Sequence, residues 1–122
     1  MISVTRIFKF EAAHYLPKHE GKCKNVHGHS YQLEVEITFG PNGMLNDQKM
    51  IMDFGDLKNL VNPLIEEYLD HHLLNETLCK TPTAEVMVDM IAYELNKRIQ
   101  APFRLLRIRL WETENCYAEW TV

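Results

Sequence analysis

The chain has 122 residues, 46% of them hydrophobic and 25% charged, with a formal net charge of -4. That is enough for one modest core, too apolar for a disordered segment, and too acidic for a general nucleic-acid binder, which needs a basic face. The three cysteines, Cys23, Cys79 and Cys116, are odd in number and unrelated in spacing, which argues against a disulfide framework and for free thiols in a reducing, cytoplasmic setting.

One domain is expected over residues 1–122, with no internal repeat. No apolar run is long enough to span a bilayer, and the N-terminus meets Arg6 before any signal-like core forms. Residues 3–14 alternate like a strand. Ile2, Val4, Phe8, Phe10, Ala12 and His14 share one parity, with Arg6 as the exception. Leu16-Pro17 ends this strand, because proline cannot donate to the ladder. The loop that follows carries Lys18, His19, Lys22, Cys23 and Lys24.

A second strand is expected over residues 27–39. His27, His29, Tyr31, Leu33, Val35, Ile37 and Phe39 fall on one face, and Ser30, Gln32, Glu34, Glu36 and Thr38 on the other. Gly40-Pro41-Asn42-Gly43 is a turn signal. Residues 50–54 read as a short strand, and Asp53 or Asp56 is placed to cap the helix after it. In that helix Leu57, Leu60, Val61, Leu64, Ile65, Tyr68 and Leu69 recur at three- and four-residue steps. Pro63 within the pattern predicts a kink or a later start.

Thr81-Pro82 should open a second helix, with Thr81 as cap and Val86, Met87, Met90, Ile91, Leu95 and Ile99 as its buried stripe. Ala101-Pro102 breaks it. Residues 103–112 form a strand with Leu106, Ile108, Leu110 and Glu112 on one face, and residues 116–122 a final strand. Strands flanking a helical pair predict an α+β fold, an antiparallel sheet with two helices packed on one face.

Pairing the first two strands as a hairpin brings His14 to the end that carries His27 and His29. Three imidazoles are the ligand set of a catalytic zinc site with an open fourth position, although iron, nickel or copper also accept imidazole. The alternative is three unrelated histidines with local hydrogen bonds. Cys23, four residues before His27, has three readings: a thiolate base favoured by Lys22, Lys24 and a metal, a fourth ligand closing the site, or an inert loop thiol. Asp70-His71 offers a carboxylate beside an imidazole, as an acid–base pair or as a helix C-terminal histidine favoured by the dipole. Glu112 lies on an apolar parity. A carboxylate there can accept two parallel N–H bonds from a flat heterocycle edge. On spacing alone, pairing with Arg107 or Arg109, or exposure at a strand end, is the expectation.

These residues occur in seven short motifs: Phe10-Glu-Ala-Ala-His14, Cys23-x-x-x-His27-Gly-His29, Met52-Asp-Phe-Gly-Asp-Leu57, Leu69-Asp-His71, Pro82-Thr-Ala-Glu85, Trp111-Glu-Thr113 and Tyr117-Ala-Glu119. Together, in one order over nearly the whole chain, they resemble the 6-pyruvoyltetrahydropterin synthase superfamily. The three residues between the cysteine and His-Gly-His look like its bacterial branch that makes 6-carboxytetrahydropterin, on the path to queuosine and other 7-deazapurines.

The resemblance implies the tunnelling fold, with trimers sharing a barrel of strands and often stacked as hexamers. It implies zinc on His14, His27 and His29, Cys23 as general base and Asp70-His71 as the proton-transfer pair. Glu112 would anchor the pterin ring of 7,8-dihydroneopterin triphosphate, with Thr83 and Glu85 nearby, at sites between subunits. The products would be 6-carboxytetrahydropterin, acetaldehyde and triphosphate.

Overall fold

Alternation in the first two strands decides the architecture. In the computed structural model, which describes residues 1–122, β1 (Val4–His14) and β2 (His27–Phe39) pair antiparallel. His14 stands opposite His27, Ala12 opposite His29, and Phe10 opposite Tyr31. β3 (Phe103–Thr113) and β4 (Cys116–Thr121) complete a four-stranded antiparallel sheet in the order β1-β2-β3-β4.

One face of the sheet is the core face. Phe8, Phe10 and Ala12 from β1, Tyr31, Leu33, Val35 and Ile37 from β2, and Leu105, Ile108 and Leu110 from β3 are buried in one cluster with the helices. Each large side chain there contributes roughly 1.5–3 kcal/mol by leaving water. The other face is charged. Arg107 pairs with Glu36, Glu34 and Glu119, and Arg109 with Glu119. Burial raises the Glu36 carboxyl, but the Ser3 hydroxyl and the Arg107 guanidinium outweigh it and hold Glu36 below its ordinary value.

Two bulges interrupt β3. Between Glu36 and Ile37 the register with β2 shifts, so Leu105 takes the place opposite Ile37. Leu105 therefore joins the main core cluster in the place expected of Leu106. Between Trp111 and Thr113 the register with β4 shifts as well, leaving Glu112 as the extra residue. A bulged residue is released from the strict alternation of the strand, and bulges commonly re-aim a side chain.

The helices lie on the core face, as expected, with α1 (Phe54–Leu64) against β1 and α3 (Ala84–Arg98) against β3 and β4. The short strand predicted for residues 50–54 is absent. The Asn46 side chain accepts the N–H groups of Gln48 and Met50, which turns the chain locally instead of extending it. Asp53, one of the two predicted caps, then accepts the Gly55 N–H and starts α1 earlier than the apolar pattern did.

Pro63 sits inside α1 without ending it. The chain runs on into a π turn, Ile65–Leu69, closed by the Asp70 N–H on the Ile65 carbonyl. Thr77, from a short helix α2 (Leu74–Thr77) that the sequence reading missed, donates its hydroxyl to the Tyr68 carbonyl at 2.6 Å. The cap of α3 is Thr83, which accepts the Val86 N–H, and not Thr81; Pro82 precedes the cap. No helix is long and apolar enough to cross a membrane.

Candidate metal centre

His14, His27 and His29 converge at the end of the β1–β2 hairpin, each offering one ring nitrogen, with these atoms all within 4.8 Å of one another. His14 is fully buried and the other two are half-buried. Two of the rings have fixed tautomers. His14 Nδ1 contacts the Pro82 carbonyl at 2.8 Å and His27 Nδ1 the Asn25 carbonyl at 2.7 Å. A carbonyl only accepts, so each Nδ1 carries the proton and each Nε2 presents a lone pair.

Those two Nε2 atoms lie 3.0 Å apart. Two facing lone pairs repel unless a cation or a proton lies between them. His29 Nε2 is buried without a hydrogen-bond partner, which is costly for a polar atom. Burial pulls the His29 imidazole below its ordinary value; Glu112 opposes this, while His14 and His27 add to it. Neutral imidazoles with inward lone pairs and outward N–H groups on carbonyls are what a borderline divalent metal requires.

A clamp behind the site holds two of its parts together. The Asn75 side chain accepts the Tyr15 N–H at 2.9 Å and donates to the carbonyls of Tyr15 at 2.8 Å and Lys80 at 3.0 Å. Tyr15 follows His14, and Lys80 leads into the Thr81-Pro82 segment whose carbonyl orients that ring. Tyr31 lies beneath, stacked on Phe10, its hydroxyl 3.5 Å from His14 Nδ1. Burial, and next the Glu112 charge, push its phenol above the ordinary value.

Glu112 does not pair with Arg107 or Arg109, contrary to the expectation from spacing. Both arginines face the other side of the sheet and are taken by Glu34, Glu36 and Glu119. Glu112 turns toward the histidines, with Oε1 3.4 Å from His14 Nε2 and 3.6 Å from His29 Nε2. It also borders a cleft of 310 Å³ with Ala84, Glu85, Cys116 and Tyr117. Thr83, at the start of α3, caps the helix that carries Glu85 into this cleft.

The remaining candidates stand outside the cluster. Cys23 is half-buried in a 3-10 turn, Lys22–Lys24, closed by the Asn25 N–H on the Lys22 carbonyl and tied back by the Leu16 N–H on the Cys23 carbonyl at 2.7 Å; its sulfur is not among the converging ligand atoms. Asp70 and His71 form a close pair, Nδ1 to Oδ2 at 2.9 Å. They are pinned to the free edge of β1: the Glu11 N–H donates to Asp70 Oδ1, and the His71 N–H to the Glu11 carbonyl. The Asp70 carboxyl is held below its ordinary value by that Glu11 N–H first and by His71 next. His71 and His29 both border a wider opening of 470 Å³. His71 has a left-handed backbone, φ 59°.

Three features of the site had no signal in the residue pattern. The Pro82 and Asn25 acceptors are backbone carbonyls, which carry no residue-type signature. Cys116 became visible beside Glu112 only through the β3–β4 turn.

A family model described as 6-pyruvoyl tetrahydropterin synthase matches residues 3–121. The 6-carboxy-5,6,7,8-tetrahydropterin synthase of Haemophilus influenzae is 31% identical over 98% of this chain and 99% of its own. That of a Synechocystis species is 40% identical over 74% and 71%. Among solved structures, 6-pyruvoyl tetrahydropterin synthase of Caenorhabditis elegans superimposes with a TM-score of 0.84 at 21% identity, covering 99% of this chain and 95% of its own.

Proposed function

The chain belongs to the 6-pyruvoyl tetrahydropterin synthase family of enzymes and has its tunnelling fold, and on that premise we propose that it converts 7,8-dihydroneopterin triphosphate to 6-carboxy-5,6,7,8-tetrahydropterin, acetaldehyde and triphosphate, in a route to queuosine and other 7-deazapurines. The observation that carries the reading is the convergence of three imidazole nitrogens with Glu112 beside the start of α3. The 31–40% identity to enzymes bearing the 6-carboxy name supports the choice of product.

In this reading His14, His27 and His29 hold zinc. Bound there, the ion supplies Lewis-acid polarisation of substrate oxygens. The chain's own residues do the rest. Glu112 accepts the amine and ring N–H edge of the pterin in paired hydrogen bonds, with Thr83 and Glu85 along the same wall. Cys23, as thiolate, takes a proton from the substrate side chain. His71 returns or relays protons, its ring oriented by Asp70 through Nδ1, which leaves Nε2 free to act.

The same reading makes the active protein a homo-oligomer, trimer or hexamer, with sites between subunits. The sheet edges support it, since β4 and the part of β1 before Glu11 have a strand neighbour on one side only. A neighbouring copy could then supply Cys23 or the Asp70–His71 pair to a given cluster.

The test is turnover. Zinc-loaded protein is incubated with 7,8-dihydroneopterin triphosphate and the pterin product identified by mass spectrometry. A 6-carboxy product with acetaldehyde is expected. A 6-pyruvoyl product would move the chain to the other branch of the family. Unchanged substrate, with zinc confirmed at the site, would overturn the assignment.

A further inference from the structure

Glu112 Oε1 lies at ligand-to-ligand spacing from two of the three imidazole nitrogens, those of His14 and His29. Nitrogen and oxygen ligands bind zinc at about 2.0–2.2 Å, and a tetrahedron of that size sets neighbouring ligand atoms roughly 3.4 Å apart. Glu112 Oε1 is 3.4 Å from His14 Nε2 and 3.6 Å from His29 Nε2. Two edges of the tetrahedron are thus already drawn between the carboxylate and the imidazoles.

Simple ion pairing explains these contacts less well. His14 already donates its Nδ1 proton to Pro82, and His29 Nε2 has no hydrogen-bond partner even with the carboxylate this close. The fixed lone pairs of His14 and His27, the unpartnered His29 Nε2 and one carboxylate oxygen make a set that a divalent cation satisfies.

The bulge makes a second position available. Glu112 is the extra residue between Trp111 and Thr113, and it borders both the histidines and the 310 Å³ cleft shared with Glu85. A flat pterin edge takes both carboxylate oxygens side by side in the plane of the ring, a different orientation from one oxygen turned to the histidines.

We propose that in the substrate-free enzyme Glu112 closes the metal site as a fourth, displaceable ligand, and that it leaves the ion when it takes the pterin ring. The inference rests on the metal and pterin reading above and adds an exchange to it: substrate binding opens the coordination position that the chemistry needs. Between turnovers the carboxylate keeps the ion four-coordinate and slow to leave.

The experiment uses cobalt(II) in place of zinc, because its visible absorption reports coordination. Affinity is read by competition with a chromophoric chelator, and Glu112→Asp, Glu112→Gln and Glu85→Gln are compared with the unaltered chain. An outer-shell partner of a metal is worth roughly 10–100-fold in affinity, which is the least expected of a ligand. Both Glu112 variants should lose at least that much and change the cobalt spectrum, Asp because it keeps the charge but not the reach. Glu85→Gln should leave affinity and spectrum as they were. An aspartate variant that binds cobalt like the unaltered chain, or a Glu85→Gln loss as large as that of Glu112→Gln, would overturn the proposal.

The unaltered protein gives an arm that no folding defect can spoil. Pterin itself, which lacks the hydroxylated side chain, is added to the cobalt protein. Binding, followed by pterin fluorescence, should change the cobalt spectrum; bound pterin with an unchanged spectrum would overturn the exchange. None of these readouts needs turnover. A chain that ligates cobalt through Glu112 yet leaves dihydroneopterin triphosphate unchanged would sink the proposed activity and leave this inference standing.

Discussion

His14 and His27 face each other with their Nε2 atoms 3.0 Å apart while each gives its Nδ1 proton to a backbone carbonyl. The hairpin register fixes this meeting, since the two residues are directly opposed at the end of β1 and β2. Each ring is oriented from behind, so the pair is set before any ion arrives.

Replacing His27 with Ala should therefore empty the site and spare the fold. His27 is only half-buried and lies at a strand end. Metal content after dialysis, by elemental analysis, should fall from about one ion per chain to near none, with an unchanged circular dichroism spectrum. Full retention of the ion would remove His27 from the ligand set.

Cys23→Ala separates base from ligand. The thiol lies outside the converging nitrogens, so zinc should stay bound. Turnover should fall by roughly 100- to 10,000-fold, the usual worth of a positioned acid–base group. Loss of zinc in the same variant would make Cys23 a ligand, and near-normal activity would leave it no role.

Asn75→Ala tests the clamp. It removes three hydrogen bonds that join Tyr15 to Lys80. At about 0.5–1.5 kcal/mol net for each, a destabilisation of roughly 1.5–4.5 kcal/mol is expected in urea unfolding. Zinc affinity should fall about tenfold with it, because Pro82 no longer meets His14 in a fixed place. Lost stability with unchanged affinity would reduce the clamp to a packing device.

Asp70 gives a pH dependence with a definite sign. Its carboxyl is depressed in the folded chain by the Glu11 N–H and by His71. It therefore contributes stability in full above the unfolded aspartate value of about 3.9 and loses it as pH falls through the lower folded value. Asp70→Asn should be less stable than the unaltered chain at pH 7. The gap should narrow on acidification and close once both forms are protonated. Urea midpoints measured across that range check it, and a gap independent of pH would show that the charge is not what matters.

Much of this was legible in the residues because alternation is a local property. Parity alone placed His14, His27 and His29 on the core side at one hairpin end, and the register agrees. The failures are failures of register and of local competition. Unbroken alternation along β3 predicts Leu106 on the core face, but the bulge there puts Leu105 in its place, while Glu112 keeps the predicted side and meets His14 and His29. Pairing of Glu112 with Arg107 or Arg109, one of the two outcomes that spacing offers, fails because Glu34, Glu36 and Glu119 on the other face hold both arginines. The strand expected at residues 50–54 lost to side-chain hydrogen bonds from Asn46. Thr81, the expected cap, gives way to Thr83, whose hydroxyl accepts the Val86 N–H once Pro82 has passed.

The left-handed backbone of His71 sets durability against chemistry at one position. A side chain with a Cβ costs roughly 1–2 kcal/mol there, and glycine would not. On the proposed role, glycine would remove the imidazole that moves the proton. Selection for a hardier protein and selection for a faster one thus pull this codon in opposite directions. A His71→Gly chain that outlasts its parent in heat while turning over nothing is the trade-off in its simplest form.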